Sequence, residues 1–573
     1  MERVIFGVVD YIVFSLMLFL SAMIGVYFRF TGGKQRTTNE FFLGSRDMGV
    51  IPVAFSMMTS YFSATGMLGI SSETYLYGFH LTINCIVCFI ATPIVIYIYH
   101  IVFYELKLIT VNEYINRRFG KFARWTTTII FMLQTLLYCA VVLYAPALTL
   151  SIVTGISLWA SVLSVGIVCT FYCTLGGIKA VVWTDVFQVI LMYTTVMAIL
   201  VKGCMDVGGF GEMWRISEKG GRITVPNFDF DVTNRYGFWS LMFGGFFFHL
   251  AVNSINQTQV QRMMTLGNLK KSRLSIYAMQ PVLVLFIIGL SLCGLVIYAN
   301  MGQCDPILRP KETGITASDQ LLPYYVMQSL GKFPGLPGLC VSGIFSASIS
   351  TISSGVNSLS AVTLEDFIKP YCCSGRLTES KASYIMKVLV IVYGLSCILL
   401  SYLVEQLDVL MQVSITVLSV LGGPIFGVFT LGMLFVRPNE KGAVTGIVIS
   451  SVLFLWIGIG NNLAQYKTTK LPQTIMECDN LTQAINMTIS RNFTHVDERD
   501  IFSLYKISFW WFSVFSTLLT VIIGYFVSLI TGPNKTVEKE LLTPAARWLY
   551  GYNQSKLEKE LEMEAFQDST HHM

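Results

Sequence analysis

A run of hydroxylated and small residues, Ser346-Ala347-Ser348-Ile349-Ser350-Thr351-Ile352-Ser353-Ser354-Gly355-Val356-Asn357, lies inside a hydrophobic stretch expected to cross a membrane. Hydrocarbon offers these hydroxyls no hydrogen-bonding partner, so they must face other helices, water or an ion. Serine and threonine oxygens are neutral, hard ligands suited to an alkali cation. Two further apolar segments are interrupted by polar and small residues. One reads Ser56-Met57-Met58-Thr59-Ser60-Tyr61-Phe62-Ser63-Ala64-Thr65-Gly66, the other Phe243-Gly244-Gly245-Phe246-Phe247-Phe248-His249-Leu250-Ala251-Val252-Asn253-Ser254-Ile255-Asn256-Gln257. Paired interruptions in corresponding positions of two halves point to an inverted-repeat transporter with its site at mid-membrane. The competing reading is a Gly- or Ser-rich helix-packing face in each.

The elements that must hold these residues are membrane spans. Of 573 residues, 54% are hydrophobic and only 13% charged. At roughly 20 residues per crossing, the apolar runs predict an all-α polytopic membrane protein of about thirteen spans. These begin near Phe6, Met48, His80, Trp125, Leu158, Val181, Phe238, Ser275, Val341, Tyr384, Val409, Gly442 and Leu504. The interrupted segments are the second and seventh of them, five apart. With the N-terminus outside, the inner segments carry Lys34 and Arg36, then Arg117, Arg118, Lys121 and Arg124, then Arg262, Lys270, Lys271 and Arg273. That satisfies the positive-inside rule. The same parity places residues 464–503 outside, where Asn480, Asn486 and Asn492 head glycosylation sequons, and the tail 531–573 in the cytoplasm. A multi-pass protein of the cell (plasma) membrane is expected. The first span lacks a small-residue cleavage site and is kept as a helix. Cys304 and Cys478 both fall outside, where a disulfide can form. Cys372-Cys373 sits at an inner membrane edge and reads either as a plain loop or as a palmitoylation site. The formal charge of +5 follows from the positive-inside bias and does not suggest nucleic acid as a partner. The extramembrane segments show no metal-ligand cluster, phosphate-cradling glycine loop or nucleophile set, which argues against an enzyme and against any organic cofactor.

Several motifs carry a family resemblance. Phe41-Phe42-Leu43-Gly44-Ser45-Arg46, the stretch from Tyr172 to Gln188, Asn256-Gln257-Thr258-Gln259-Val260-Gln261-Arg262 and the stretch from Ala361 to Pro370 occur in the order found in the sodium/solute symporter family. Over about residues 8–465 the chain is most similar to the sodium-coupled monocarboxylate, multivitamin and iodide branch. The resemblance implies a leucine-transporter-like fold of two inverted five-helix repeats. Their boundaries are expected at 48–205 and 237–436, preceded by a first helix within 1–30 and followed by two helices within 442–530. It implies sodium as the coupling ion, held by backbone carbonyls of Thr59, Phe62 and Ala347 and by the hydroxyls of Ser350 and Thr351. Ala347, Ser350 and Thr351, three and four positions apart, share a helical face, which agrees with that assignment. Ser348, Ser353 and Ser354 stay open, because not every hydroxyl of the run can reach one ion. Asp185 resembles an acidic residue near the sodium route; the alternative is an interfacial carboxylate with Lys179 nearby.

The solute is expected to be a small organic anion, foremost a monocarboxylate. Biotin or pantothenate, or another solute of the family, is the alternative. His249 and Asn253 stand where the monocarboxylate and iodide relatives usually have Trp and Tyr. Gly66 replaces a polar residue of the iodide transporters. His249 is read as a pocket residue for an anionic group, against a histidine satisfied by a neighbouring helix or water. Gln134, with Tyr138 one turn on, is a further polar candidate or a simple helix bridge. A non-transporting sensor or leak channel could use the same fold. Oligomeric state is not legible in the sequence.

Overall fold

The computed structural model describes residues 5–30, 44–175, 178–372, 378–405, 409–464, 470–475, 478, 501–534 and 536–551. The sequons at Asn480, Asn486 and Asn492, the Phe41-Phe42-Leu43 part of the first motif, Cys373 and the tail beyond 551 lie outside them.

The spans are helices α1 (Val8–Phe30), the pair α2 (Val50–Tyr61) and α3 (Ala64–Tyr77), α4 (Phe79–Leu106), α5 (Lys121–Thr154), α6 (Leu158–Leu175) and α7 (Ile178–Asp206). A second pair follows, α8 (Gly245–Ser254) and α9 (Gln257–Met263), then α10 (Leu269–Met301), α11 (Leu336–Thr363), α12 (Glu379–Val404), α13 (Leu410–Leu434), α14 (Glu440–Ala464) and α15 (Phe509–Ile530). Among the described residues nine helices are by themselves long and apolar enough to cross a membrane, and Val8–Ile24, Val50–Tyr61 and Leu158–Phe171 are shorter apolar stretches. The pair α8/α9 stands at the remaining expected span.

Both interruptions are real breaks in helix. Phe62 and Ser63 leave helical geometry between α2 and α3, with φ −108°, ψ 115° and φ −101°, ψ 171°. Between α8 and α9 the chain turns at Ile255, and Asn256 caps α9 by accepting the Thr258 N–H at 3.0 Å. A side-chain oxygen at that position satisfies a donor the helix start would orphan.

The hydroxyl-rich α11 is almost wholly buried, and it packs on α7, α5 and α1. Gly338 and Gly343 permit backbone-close approaches: a Cβ would lie 2.3 Å from the Asp10 carbonyl oxygen of α1 at the first and 2.8 Å from the Leu191 carbonyl oxygen of α7 at the second. Small residues let helices meet at backbone distance where lipid supplies no hydrophobic drive. Asp10 of α1 accepts the Gly335 and Gly338 N–H groups at 2.9 and 3.3 Å, placing a carboxylate at the start of α11. The buried Arg118 donates to the carbonyls of Gly432, Phe435, Val436 and Pro438 where α13 ends, satisfying groups that would otherwise be stranded. The near part of the tail is ordered against this end. A short helix spans Pro544–Leu549, and the Leu541 carbonyl accepts the Tyr114 hydroxyl at 3.0 Å.

Candidate functional site

The break after Tyr61 strips the last carbonyls of α2 of intrahelical donors, and α11 lies beside them. The Thr351 hydroxyl is 3.0 Å from the Ala347 carbonyl and 3.4 Å from the Thr59 carbonyl. Three oxygens of the expected cation set therefore converge. Ser350 donates instead to Asp185 Oδ1 at 2.6 Å, leaving its lone pairs for another partner. Ser348 is turned away, donating to Val142 O at 3.0 Å, and Ser353 back-bonds to Ser350 O. Ser354 joins a different cluster through Ser60 and Arg262.

Asp185 is not an interfacial carboxylate. It is fully buried in α7, where Ser56 donates at 2.5 Å, Ser350 at 2.6 Å and Arg262 Nη2 at 3.2 Å. Arg262, counted in the sequence among the inner positive charges, is likewise buried. Its Nε donates to Ser56 at 2.7 Å and its Nη1 to Thr258 O at 2.9 Å. The ion pair thus ties both broken pairs to α7 and α11. A buried pair is tolerated only where its remaining donors and acceptors are satisfied, and the three serines do that here. Ser56 was legible one turn before Thr59 on the same face of α2. The Asp185–Arg262 pairing had no sequence signal, because the partners are far apart along the chain.

On the other side of the break lies a cavity of about 110 Å³. Ser63, Thr65 and Ser414 give it one hydroxylated wall: Thr65 Oγ1 is 2.6 Å from Ser63 Oγ and accepts from Ser414 at 3.1 Å. His249, Phe248, Cys88 and Trp510, from α8, α4 and α15, give it a wall of rings and a thiol. His249 Nδ1 is 3.7 Å from Cys88 Sγ, its ring is 5.8 Å from that of Tyr61, and its Nε2 is buried without a partner. Gly66 also lines the cavity, as does Tyr138. Asn253 and Gln134 do not: Asn253 donates back to His249 O at 3.1 Å, and Gln134 to Leu418 O at 3.2 Å, a helix bridge. No lining residue is an Asp, Glu, Lys or Arg. Tyr61, Thr65, Ser414 and Trp510 were not singled out from sequence, since isolated hydroxyls and aromatics are common in spans.

One turn beyond the lining residue Ile70, Glu73 on α3 pairs with Arg235 at 2.5 Å and accepts the Tyr236 hydroxyl at 2.5 Å. Arg235 also donates to Gln412, at the start of α13, at 2.7 Å. Its guanidinium sits 5.1 Å from the Tyr77 and Phe509 ring centres. Burial pulls the Arg235 pKa down, but the Glu73 carboxylate beside it more than offsets this and the net shift is upward. Nearby, Asp319 accepts the Leu410 N–H at 2.9 Å, and burial pushes its carboxyl up to about 7. At the same end Cys304 and Cys478 are joined as a disulfide.

The model described as the sodium:solute symporter family matches residues 41–450. The chain is 38% identical to sodium-coupled monocarboxylate transporter 1 of Homo sapiens, across 92% of this chain and 88% of that protein. It is equally 38% identical to the sodium-dependent multivitamin transporter of Oryctolagus cuniculus, across 92% and 83%. A solved Na+-coupled sialic acid symporter, in a substrate-bound outward-open state, matches with a TM-score of 0.74 at 22% identity, covering 93% of this chain and 100% of that one. That likeness shows a shared fold, the leucine-transporter-like arrangement of inverted five-helix repeats. With its broken helices, convergent oxygens and these relatives, the chain belongs to the sodium:solute symporter family and is a sodium-coupled solute symporter rather than an enzyme.

Proposed function

We propose that this symporter imports a small organic anion, foremost a monocarboxylate, by alternating access. The observation that carries the reading is the break at Phe62–Ser63. Its Phe62 side chain and the N-terminal residues of α3 line the cavity, while the Thr59 carbonyl meets Thr351. The first N–H groups and positive dipole end of α3 are therefore available to a carboxylate. The wall itself brings no fixed charge, so charge balance for an anion comes from the helix end and the coupled cation.

Sodium is held by the carbonyls of Thr59, Phe62 and Ala347 and the hydroxyls of Ser350 and Thr351. Asp185, through Ser350, supplies negative potential beside that ion. Sodium binding bridges α2 and α11, the solute enters beside the broken helices, and the bundle rocks inward. Each positive charge moved inward across 100 mV gains about 2.3 kcal/mol. His249 contributes to the solute wall as a neutral hydrogen-bonding group. Import across the plasma membrane, with the disulfide end outside, fits both the positive-inside pattern and a bond that persists in oxidising surroundings.

A multivitamin substrate is the second reading, because relatives of both kinds match at 38% identity. The test is initial uptake of lactate-like acids, biotin, pantothenate and iodide, in sodium and in its absence. Sodium-driven accumulation of a short acid above its outside concentration is expected. Accumulation of none of the acids refutes the organic-anion reading, and mere equilibration indicates a leak. His249→Gln should alter affinity or pH dependence for short acids; unchanged values remove the histidine from the site.

A further inference from the structure

We propose that Trp510, on the last span and beyond both repeats, determines solute specificity by selecting acids that carry a second hydrogen-bond acceptor away from the carboxylate. This rests on the organic-anion reading above and deepens it.

The last span is keyed to the first broken segment of the second half. Gly244, just before α8, sits so close that a Cβ there would lie 2.6 Å from the Trp510 carbonyl oxygen. Trp511 donates its indole N–H to Ser240 at 3.0 Å, and the Phe248 ring meets Trp510 edge-on at 6.1 Å. These contacts hold the Trp510 ring on the cavity wall beside His249. The wall carries two unmade hydrogen bonds, because Trp510 Nε1 and His249 Nε2 are both buried without partners.

An indole nitrogen only donates. Cys88 lies 3.7 Å from His249 Nδ1, and in the tautomer in which its thiol donates there the imidazole proton sits on Nε2. Two donors on one wall ask for an acceptor from the solute. The hydroxylated wall and the α3 terminus are on the other helices, so the carboxylate belongs there and the second acceptor belongs against Trp510. A keto, hydroxyl or amide oxygen several bonds from the carboxylate meets that demand; a plain alkanoate leaves both donors unmade.

The test compares sodium-dependent uptake of 4-oxopentanoate and pentanoate. Wild type should show a KM for the oxo acid roughly tenfold lower, equivalent to about 1.4 kcal/mol. Trp510→Phe keeps an aromatic face of smaller size and removes the donor. It should raise the oxo-acid KM toward that of pentanoate without changing maximal rate, and Trp456→Phe, an exposed tryptophan of α14 that does not line the cavity, should keep the preference. Equal wild-type KM values overturn the proposal even if Trp510→Phe fails to fold. So does a Trp510→Phe transporter that retains the preference, or one in which both acids weaken together. Absence of uptake of both acids overturns this proposal, and the underlying anion reading falls with it only where none of the panel acids above is accumulated either.

Discussion

Replacing Thr351 by valine removes one hydroxyl and keeps the branched shape, which makes it a clean probe of the sodium site. In the fold that hydroxyl back-bonds to Ala347 O at 3.0 Å and reaches Thr59 O at 3.4 Å. Its loss should cost stability only about 1 kcal/mol, as for an ordinary hydrogen bond. As a ligand it is worth more, because bonds to charged groups contribute roughly 1.5–3 kcal/mol. At about 1.4 kcal/mol per factor of ten, Thr351→Val should raise the half-saturating sodium concentration roughly ten- to hundredfold. The assay is initial uptake against sodium at saturating solute, normalised to transporter at the cell surface. Ser348→Ala is the matched control, since its hydroxyl serves Val142 on α5. An unchanged sodium requirement in Thr351→Val, or an equal shift in Ser348→Ala, would refute the convergence argument.

Asp185→Asn should lower the amount of folded protein, because removing one partner of a buried ion pair costs about 3–5 kcal/mol. Thermal melting should show Asp185→Asn/Arg262→Met recovering part of that loss. Asp319 gives a pH signature with a definite sign. Its pKa is raised from 3.8 to about 7, so the folded form holds a proton that the unfolded chain has already released. Stability from this group falls as pH rises from about 4 to 7, against a background set by neighbouring Glu73 and Arg235. Asp319→Asn should therefore melt higher than wild type at pH 8, with the difference narrowing steadily below pH 7 and closing near pH 4; a constant difference would contradict the assignment. Cys304→Ser should leave Cys478 open to alkylation without reduction, and lower thermal stability by about 2–4 kcal/mol. Peptide mapping that finds Cys478 already free in wild type would remove the bond.

Chain-local properties were readable from the residues alone. Apolar runs set the spans, and the polar interruptions within Ser56–Gly66 and Phe243–Gln257 marked segments where helices stop. The spacing of Ala347, Ser350 and Thr351 placed them on one face of α11. All of these follow from helical periodicity and from the poverty of hydrocarbon as a hydrogen-bonding solvent, which act over a turn or a span. Which oxygens meet across helices was decided by packing. From sequence Asp185 reads as an acidic residue near the sodium route or as an interfacial carboxylate, and Arg262 as an inner-surface cation; the fold buries both against each other with Ser56, Ser350 and Ser354 around them. Asn253 and Gln134 shared the polarity of His249 but were turned onto backbone carbonyls. Glu73 found Arg235, and Trp510 reached the cavity from the far end of the chain. Polarity says that a buried group must find a partner; only the three-dimensional contacts say which one, because pairing energy depends on distance and direction rather than on position in sequence.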